Sequence, residues 1–179
     1  MYTPAAPRET RTYRHFTIST IGLESATQGI SIQAGSAVSS LAWPLANLAL
    51  YVPIYINETV TVYEGGIGAG ATAGGNFDIG IYDAAGTRIV SSGSTVRTAS
   101  AWNVAALTDT ELQPGWYYAA MSANGTNNYS GTAPNGALCA AMGVCEQQTA
   151  FALPATATLT ITSRALVPNI TFAVRSIAL

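Results

Sequence analysis

Residues 76–91, NFDIGIYDAAGTRIVS, decide the fold predicted for this chain. Apolar side chains occupy every second position, at Phe77, Ile79 and Ile81, which is the period of a strand with one buried face. The turn sequence DAAG follows, and the residues after it, up to Ser91, return as a partner strand. The stretch therefore predicts a β-hairpin.

The same alternation recurs elsewhere in the chain. Upstream, Val52, Ile54 and Ile56 share one face of a segment. Pro53 cannot donate to a ladder, so we expect that strand at a sheet edge or met on one side only. Further strands are predicted near 60–62, 102–107, 116–123, 157–162 and 170–175, with the turn LQPG before the third of these and a long loop over 124–148. Short strands with a turn about every eight to twelve residues predict an all-β fold, an antiparallel β-sandwich that is jelly-roll-like.

Charge is scarce in this sequence. Only 9% of the residues are charged, against about 25% in ordinary soluble domains, while 49% are hydrophobic. The net charge of −2 gives no basic footprint for nucleic acid, and no apolar run reaches the ~18 residues that a membrane span needs. Such a chain either stays soluble through an uncharged polar surface or hides its surface in an assembly, and we expect neither nucleic acid nor membrane as a partner.

The first 45 residues differ from the rest, because apolar side chains are sparse and show no sustained period. We predict an extended N-terminal arm over residues 1–45 and a β-sandwich domain over 46–179. The arm would be ordered when it lies across a neighbouring subunit. Its candidate assembly residues are Arg8, Arg11, Arg14, His15, Phe16 and Trp43.

Catalytic motifs do not emerge from the sequence. His15 is the only histidine, and no nucleophile elbow, phosphate loop or zinc-protease pattern is present. Asp78, Asp83, Asp109 and Glu111 are the candidate paired carboxylates of a hydrolase, and the last three are also candidate calcium ligands. Turn and loop formation account for Asp83 and Asp109. We therefore predict no enzymatic activity, no metal site and no cofactor.

Three residues of the predicted 124–148 loop are candidates for a functional or structural role. Cys139 and Cys145 are the only cysteines, and a disulfide between them is geometrically feasible, as are two unpaired thiols. Tyr129 has polar neighbours and is the best candidate for an exposed ring that stacks on a host glycan.

Three segments resemble a β-sandwich module of tailed-bacteriophage structural proteins. They are AWPLANLALYVPIYI (42–56), NFDIGIYDAAGTRIVSSGST (76–95) and LTDTELQPGWYYAAMSANGT (107–126). The resemblance covers a little under half of the chain, and its GIYD–G–R–VSSGST run is fairly specific. It implies a part of a head decoration, head fibre or tail-associated protein, usually displayed as a trimer, and it implies no catalytic residues.

The expected function is that of a virion structural protein. We favour a capsid decoration or cement protein on the particle exterior, anchored by the arm to the major capsid protein or other virion proteins, self-associating as a homotrimer and made in the host bacterial cytoplasm. The absence of stalk-like repeats favours the head over a tail fibre. The alternatives are a tail fibre, receptor-binding or carbohydrate-binding β-sandwich module that contacts a host surface glycan, and a glycan hydrolase.

Overall fold

The computed structural model describes residues 13–20 and 39–177 of the chain. Within these residues it contains strands and one short helix, α1 (Gly136–Ala141). The strands are β1 (Tyr13–Ser19), β2 (Ser39–Ala42), β3 (Leu48–Ile56), β4 (Val60–Gly68), β5 (Asn76–Asp83), β6 (Arg88–Ser91), β7 (Thr95–Val96), β8 (Trp102–Leu112), β9 (Gly115–Ala123), β10 (Asn128–Thr132), β11 (Cys145–Gln147), β12 (Thr160–Ile161), β13 (Val167–Pro168) and β14 (Ile170–Ile177).

The strands form three antiparallel sheets. One sheet has the order β1-β14-β4-β8, and a small sheet has the order β13-β10-β2. The largest sheet has the order β12-β11-β3-β9-β5-β6, with β7 pairing to β5. Strands distant in sequence are thus neighbours in space, as in sandwich folds.

The two larger sheets face each other across one apolar core. A Cβ added to Gly65 of β4 would lie 2.9 Å from Ile79 of β5 and 3.5 Å from Phe172 of β14, so the backbones approach closely here. The core is filled from both sheets by side chains that include Leu48, Leu50, Ile54, Val62, Phe77, Ile79, Met121, Ile170, Phe172 and Val174. The prediction of an all-β antiparallel sandwich is confirmed.

Strand β3 lies inside its sheet rather than at an edge. It pairs along its length with β9, and Pro53 is opposite Tyr118 there. On the other side, the register with β11 ends at Tyr51, which is opposite Cys145. Pro53 therefore lies just beyond the point where the pairing with β11 ends, which confirms that the strand is paired on one side only at this position.

The outer face of the large sheet is covered by the segment 148–159. Tyr51 and Tyr82 contact each other edge to face, with ring centroids 5.2 Å apart, and pack beneath Leu153. The Tyr82 hydroxyl donates to the carbonyl oxygen of Pro154 at 2.6 Å, and the Leu153 amide donates to a carboxylate oxygen of Asp78 at 2.9 Å. The polar positions of β5 are consequently buried in a second, smaller core.

Some predicted boundaries were wrong. The expected loop 124–148 contains β10, α1 and β11, and the expected strand at 157–162 is reduced to β12. Asn135 caps the N-terminus of helix α1, and its side chain accepts from the Leu138 amide at 2.8 Å. β10 is rich in small and polar residues, and its strand conformation follows from pairing with β2 and β13 rather than from apolar alternation.

Candidate functional site

Part of the predicted arm is paired with the sandwich. Arg8 and Arg11 lie outside the described residues. The backbone positions of Arg14, His15 and Phe16 lie in β1, opposite residues 176, 175 and 174 of β14. This strand forms one edge of the four-stranded sheet.

The end of β1 is fixed by a side chain. The hydroxyl of Thr20, just after the strand, is buried and donates to the carbonyl oxygen of Pro168 at 2.5 Å. The same hydroxyl accepts from the Ile170 amide at 2.9 Å. Ile18 is buried as well and joins the main core. The 13–20 segment therefore docks on the sheet through backbone pairing and a few buried groups.

Trp43 belongs to the core and not to an assembly arm. Its side chain is only 1% exposed, and its indole N–H donates to the carbonyl oxygen of Leu48 at 3.1 Å. The ring meets Tyr129 edge to face, with centroids 5.7 Å apart. The predicted assembly role of Trp43 is therefore wrong, because the ring is enclosed by the sandwich and unavailable to a neighbouring subunit.

Tyr129 is also buried, which corrects its prediction as a surface residue for a glycan. It is 2% exposed and lies between Trp43 and the guanidinium of Arg97, which is 5.2 Å from the ring centroid. Burial raises the pKa of its hydroxyl. Successive side chains of a strand point to opposite faces of the sheet. The polar residues on either side of Tyr129 in β10 therefore did not indicate that the tyrosine itself is buried.

The two cysteines are both free and buried, so the disulfide is not formed. Cys139 of α1 packs with Val52 and Val144, whereas Cys145 of β11 packs in the separate cluster beneath the 148–159 segment. Burial raises the pKa of both thiols. The six-residue spacing does not bring them together, because the helix and the strand direct them into different clusters.

One uncovered aromatic pair lies on the outer face of the large sheet. Tyr55 of β3 is directly opposite Trp116 of β9, with ring centroids 5.3 Å apart and ring planes at 60°. The two side chains are 39% and 52% exposed, respectively. They continue the face that carries Tyr51 and Tyr118, beyond the part that residues 148–159 cover. We call Tyr55 and Trp116 the aromatic pair.

A cleft of about 340 Å³ lies beside β8, on the other side of the fold. It is lined by Ser40, Gly68, Ala69, Gly70, Ser100, Ala101, Trp102 and Ser130, none of which is charged. We call it the Trp102 cleft. Its volume falls within the roughly 300–1,000 Å³ of small-ligand sites in proteins.

The indole of Trp102 lies against glycine backbone. A Cβ added to Gly66 would lie 2.6 Å from the indole nitrogen, and one added to Gly68 would lie 3.4 Å from a ring carbon. The side chain is nevertheless 49% exposed. The ring is therefore supported by β4 and still open to solvent.

The backbone of the cleft is held by a dense set of hydrogen bonds. The Ala69 amide donates to the carbonyl oxygen of Ala101 at 2.8 Å, and the Ser100 amide donates to that of Gly70 at 3.0 Å. Ser100 has a φ of 52°, a left-handed conformation that is uncommon for serine. The side chain of Asn103, which is buried, donates to the carbonyl oxygens of Thr98 and Ala101 and so fixes the turn before Trp102.

The acidic residues that the sequence offered for hydrolysis or calcium have structural roles. Asp83 accepts from the amides of Ala85 and Thr87 at 2.9 and 2.8 Å and forms the hairpin turn. Asp109 forms an ion pair with Arg175. In the described ranges 13–20 and 39–177, no three His, Cys, Asp or Glu residues lie close enough to hold a metal ion, and no helix is long and apolar enough to cross a membrane.

Comparison of the chain with protein-family models, curated proteins and solved structures finds no match.

Proposed function

We propose that this chain is a non-enzymatic structural protein of a bacteriophage particle, a decoration or cement protein on the exterior of the head. The resemblance of the three quoted segments to phage sandwich modules supports this proposal. Those segments contribute β3, β5, β6 and β9, which are consecutive neighbours in the large sheet. Most of the residues that carry the resemblance thus form one continuous piece of the large sheet, although 19 and 11 residues separate the three segments in the sequence.

The aromatic pair is the observation that carries the assembly role. Adjacent exposed apolar side chains mark an interaction surface more often than scattered ones do, and tryptophan and tyrosine are enriched among the residues that dominate the binding energy of protein interfaces. Tyr55 and Trp116 lie where residues 148–159 cease to cover the outer face of the sheet. In the proposal, a neighbouring virion subunit covers them.

The proposal also assigns an anchoring role to the N-terminal segment. Strand β1 docks on the edge of the four-stranded sheet. In the proposal, the part of the sequence that precedes β1 contacts the shell. Arg8, Arg11 and Arg14 would pair with acidic groups of the major capsid protein, where guanidinium–carboxylate bonds give geometric specificity. Association as a homotrimer belongs to the same proposal.

The test is incorporation into particles. Phage lacking this protein are complemented in the host with the wild-type chain, with Trp116→Glu or with Ile161→Glu, and the purified particles are analysed by immunoblotting and by immunogold labelling. Ile161 is the control, because it is 55% exposed but lies in β12 at the opposite edge of the large sheet from β6. We expect heads decorated by the wild type and by Ile161→Glu, and a loss of at least about tenfold for Trp116→Glu.

Two results would contradict the proposal. Label confined to the tail would exclude the head decoration role, and absence of the wild-type chain from particles would exclude a virion protein. Incorporation of Trp116→Glu at the wild-type level would remove the aromatic pair from the interface.

Carbohydrate binding is a second candidate function. It is favoured by one specific observation, the Trp102 cleft, which combines an exposed indole with uncharged polar walls.

A further inference from the structure

The Trp102 cleft has a flat apolar wall that is held in place before any ligand arrives. The indole rests on Gly66 and Gly68, and any side chain at Gly66 would collide with it. Half of the Trp102 side chain is open to solvent. A fixed aromatic face suits the apolar face of a sugar ring, because stacking there costs little side-chain entropy.

Three hydroxyl-bearing residues lie around this ring. Ser40, Ser100 and Ser130 line the cleft and come from three separate parts of the chain, β2, the turn before β8, and β10. Within the described residues, their side-chain hydroxyls have no hydrogen-bond partner. A ligand with several hydroxyl groups would satisfy them, since each serine both donates and accepts.

The walls that carry these hydroxyls are rigid. Arg97 donates to the carbonyl oxygen of Gly70 at 2.7 Å and to that of Asn128 at 3.0 Å, which ties the cleft floor to β10. Ser100 is held in its left-handed conformation by the bond from its amide to Gly70. Strained backbone that its surroundings hold fixed is common at binding sites.

The electrostatics of the cleft select against charged ligands. None of the lining residues is ionisable, and the nearby guanidinium of Arg97 is buried and directed at backbone carbonyls. The chain as a whole carries a net charge of −2. A phosphate-bearing ligand such as a nucleotide would therefore find no cation to neutralise it.

We infer that the Trp102 cleft binds a neutral saccharide, with one sugar ring stacked on the Trp102 indole and its hydroxyls bonded to Ser40, Ser100 and Ser130. This inference is independent of where the chain sits in a particle, because it depends only on the cleft itself. It also differs from the sequence-based assignment to Tyr129, which is buried.

The experiment is a titration of the full chain with a panel of neutral oligosaccharides that carry terminal glucose, galactose, mannose, N-acetylglucosamine or rhamnose. Binding is followed by NMR of the indole N–H signals of the three tryptophans, assigned with single Trp→Phe variants. We expect at least one neutral sugar to move the Trp102 signal and the amides of Gly70 and Ser100, and to leave the signal of buried Trp43 in place. Sialyllactose, a charged probe, is expected to bind more weakly than lactose.

Two variants and a matched control locate the site. Trp102→Ala should weaken binding about tenfold or more, since the stacking face is lost. Ser100→Gly removes one hydroxyl in a backbone conformation that glycine adopts readily, so it should fold normally and weaken binding about threefold to tenfold. Trp116→Ala removes an equally exposed tryptophan from the opposite side and should bind as the wild type does.

Several outcomes would overturn the inference. They are no shift of the Trp102 signal with any sugar of the panel, stronger binding of sialyllactose than of lactose, and equal weakening by Trp116→Ala. Self-association that Trp102→Ala abolishes, without any sugar binding, would instead make Trp102 a contact between copies of the chain and would likewise refute a saccharide site.

Discussion

The guanidinium of Arg97 lies over the ring of Tyr129, 5.2 Å from its centroid, although both side chains are almost fully buried. Among residues 13–20 and 39–177, no carboxylate is bonded to this arginine; its terminal nitrogens donate to the backbone carbonyl oxygens of Thr72, Gly70 and Asn128. The two terminal nitrogens make these bonds, whereas the buried Nε has no hydrogen-bond partner. The loss of any of the carbonyl partners or of the aromatic face would leave more of a buried cation uncompensated, at a large desolvation cost. Arg97 thereby fixes the glycine-rich segment after β4 against β10.

Replacing Arg97 by lysine should destabilise the protein by about 2–4 kcal/mol, because an ammonium cannot reach three carbonyls in the geometry of the planar fork. The measurement is urea denaturation together with amide hydrogen exchange. We expect exchange of the Ser100 amide to accelerate, since its acceptor Gly70 is tethered by Arg97. Arg175→Lys is the control and should cost less than about 1 kcal/mol, because that side chain is about one-third exposed. Equal effects of the two substitutions would contradict this role of Arg97.

Gly80 of β5 should not tolerate alanine. A Cβ there would lie 2.7 Å from the carbonyl oxygen of Val90 and 3.1 Å from Leu153, so either β6 or the covering segment would have to move. We expect a loss of about 1–3 kcal/mol in unfolding free energy, measured by chemical denaturation. Gly125→Ala is the matched control: nothing lies within 4 Å of its added Cβ, and its stability should stay within about 0.5 kcal/mol of the wild type or increase slightly. An unchanged unfolding free energy for Gly80→Ala would show that residues 148–159 pack loosely on β5.

The sequence predicted which residues share a face but not what covers that face. Alternation correctly put Phe77, Ile79 and Ile81 on one side of β5, and these residues fill the main core. Asp78 and Tyr82, on the other side, would be solvent-exposed in a two-layer sandwich, yet both are fully buried. The cause is the 148–159 segment, and the alternation that begins near its end predicted a strand at 157–162 rather than a cover.

The candidate site was predictable only in part. An indole at Trp102 could be singled out as an aromatic candidate, but the Trp102 cleft depends on Ser40 and Ser130, which come together only through the pairing of β2 with β10. Long-range pairing of this kind leaves no local signal. The same pairing explains the wrong assignments of Trp43 and Tyr129, whose burial results from contact between segments about 80 residues apart.

Asp78 should make stability depend on pH in an unusual direction. Burial, the largest influence, raises the pKa of its carboxyl above the ordinary 3.8, although bonds from the Leu153 amide and the Ser92 hydroxyl oppose the shift. A carboxyl with a raised folded-state pKa binds its proton more tightly in the folded protein than in the unfolded one. Its contribution to stability is therefore greatest at low pH and falls as the pH rises from about 4 through the raised pKa.

Asp78→Asn tests this, because the amide keeps an acceptor for the Leu153 amide and cannot ionise. Toward Ser92 it offers an N–H donor in place of the carboxylate oxygen that accepts from the Ser92 hydroxyl, so that hydroxyl must turn to accept. The unfolding free energies of the wild type and the variant are compared at pH 4, 5, 6 and 7. We expect the unfolding free energy of the variant to increase relative to that of the wild type as the pH rises. A difference that is constant across this range, or that changes in the other direction, would contradict the shift.

The two cysteines offer a direct check on the packing around α1. Cys139 is enclosed by Val52 and Val144, and Cys145 by the cluster under residues 148–159, so neither thiol is accessible to a reagent in solution. Their raised pKa values further reduce the thiolate fraction, which is the reactive form.

We expect a chromogenic disulfide reagent to react with neither thiol over the time in which an exposed cysteine reacts fully. In guanidinium without reductant, both of the chain's two cysteines should react. Leu138→Cys supplies the exposed control, because Leu138 lies next to Cys139 on the same helix and is 41% exposed. Reaction of no thiol in the unfolded wild type until a reductant is added would show that Cys139 and Cys145 are joined after all, and would require α1 to unwind toward β11.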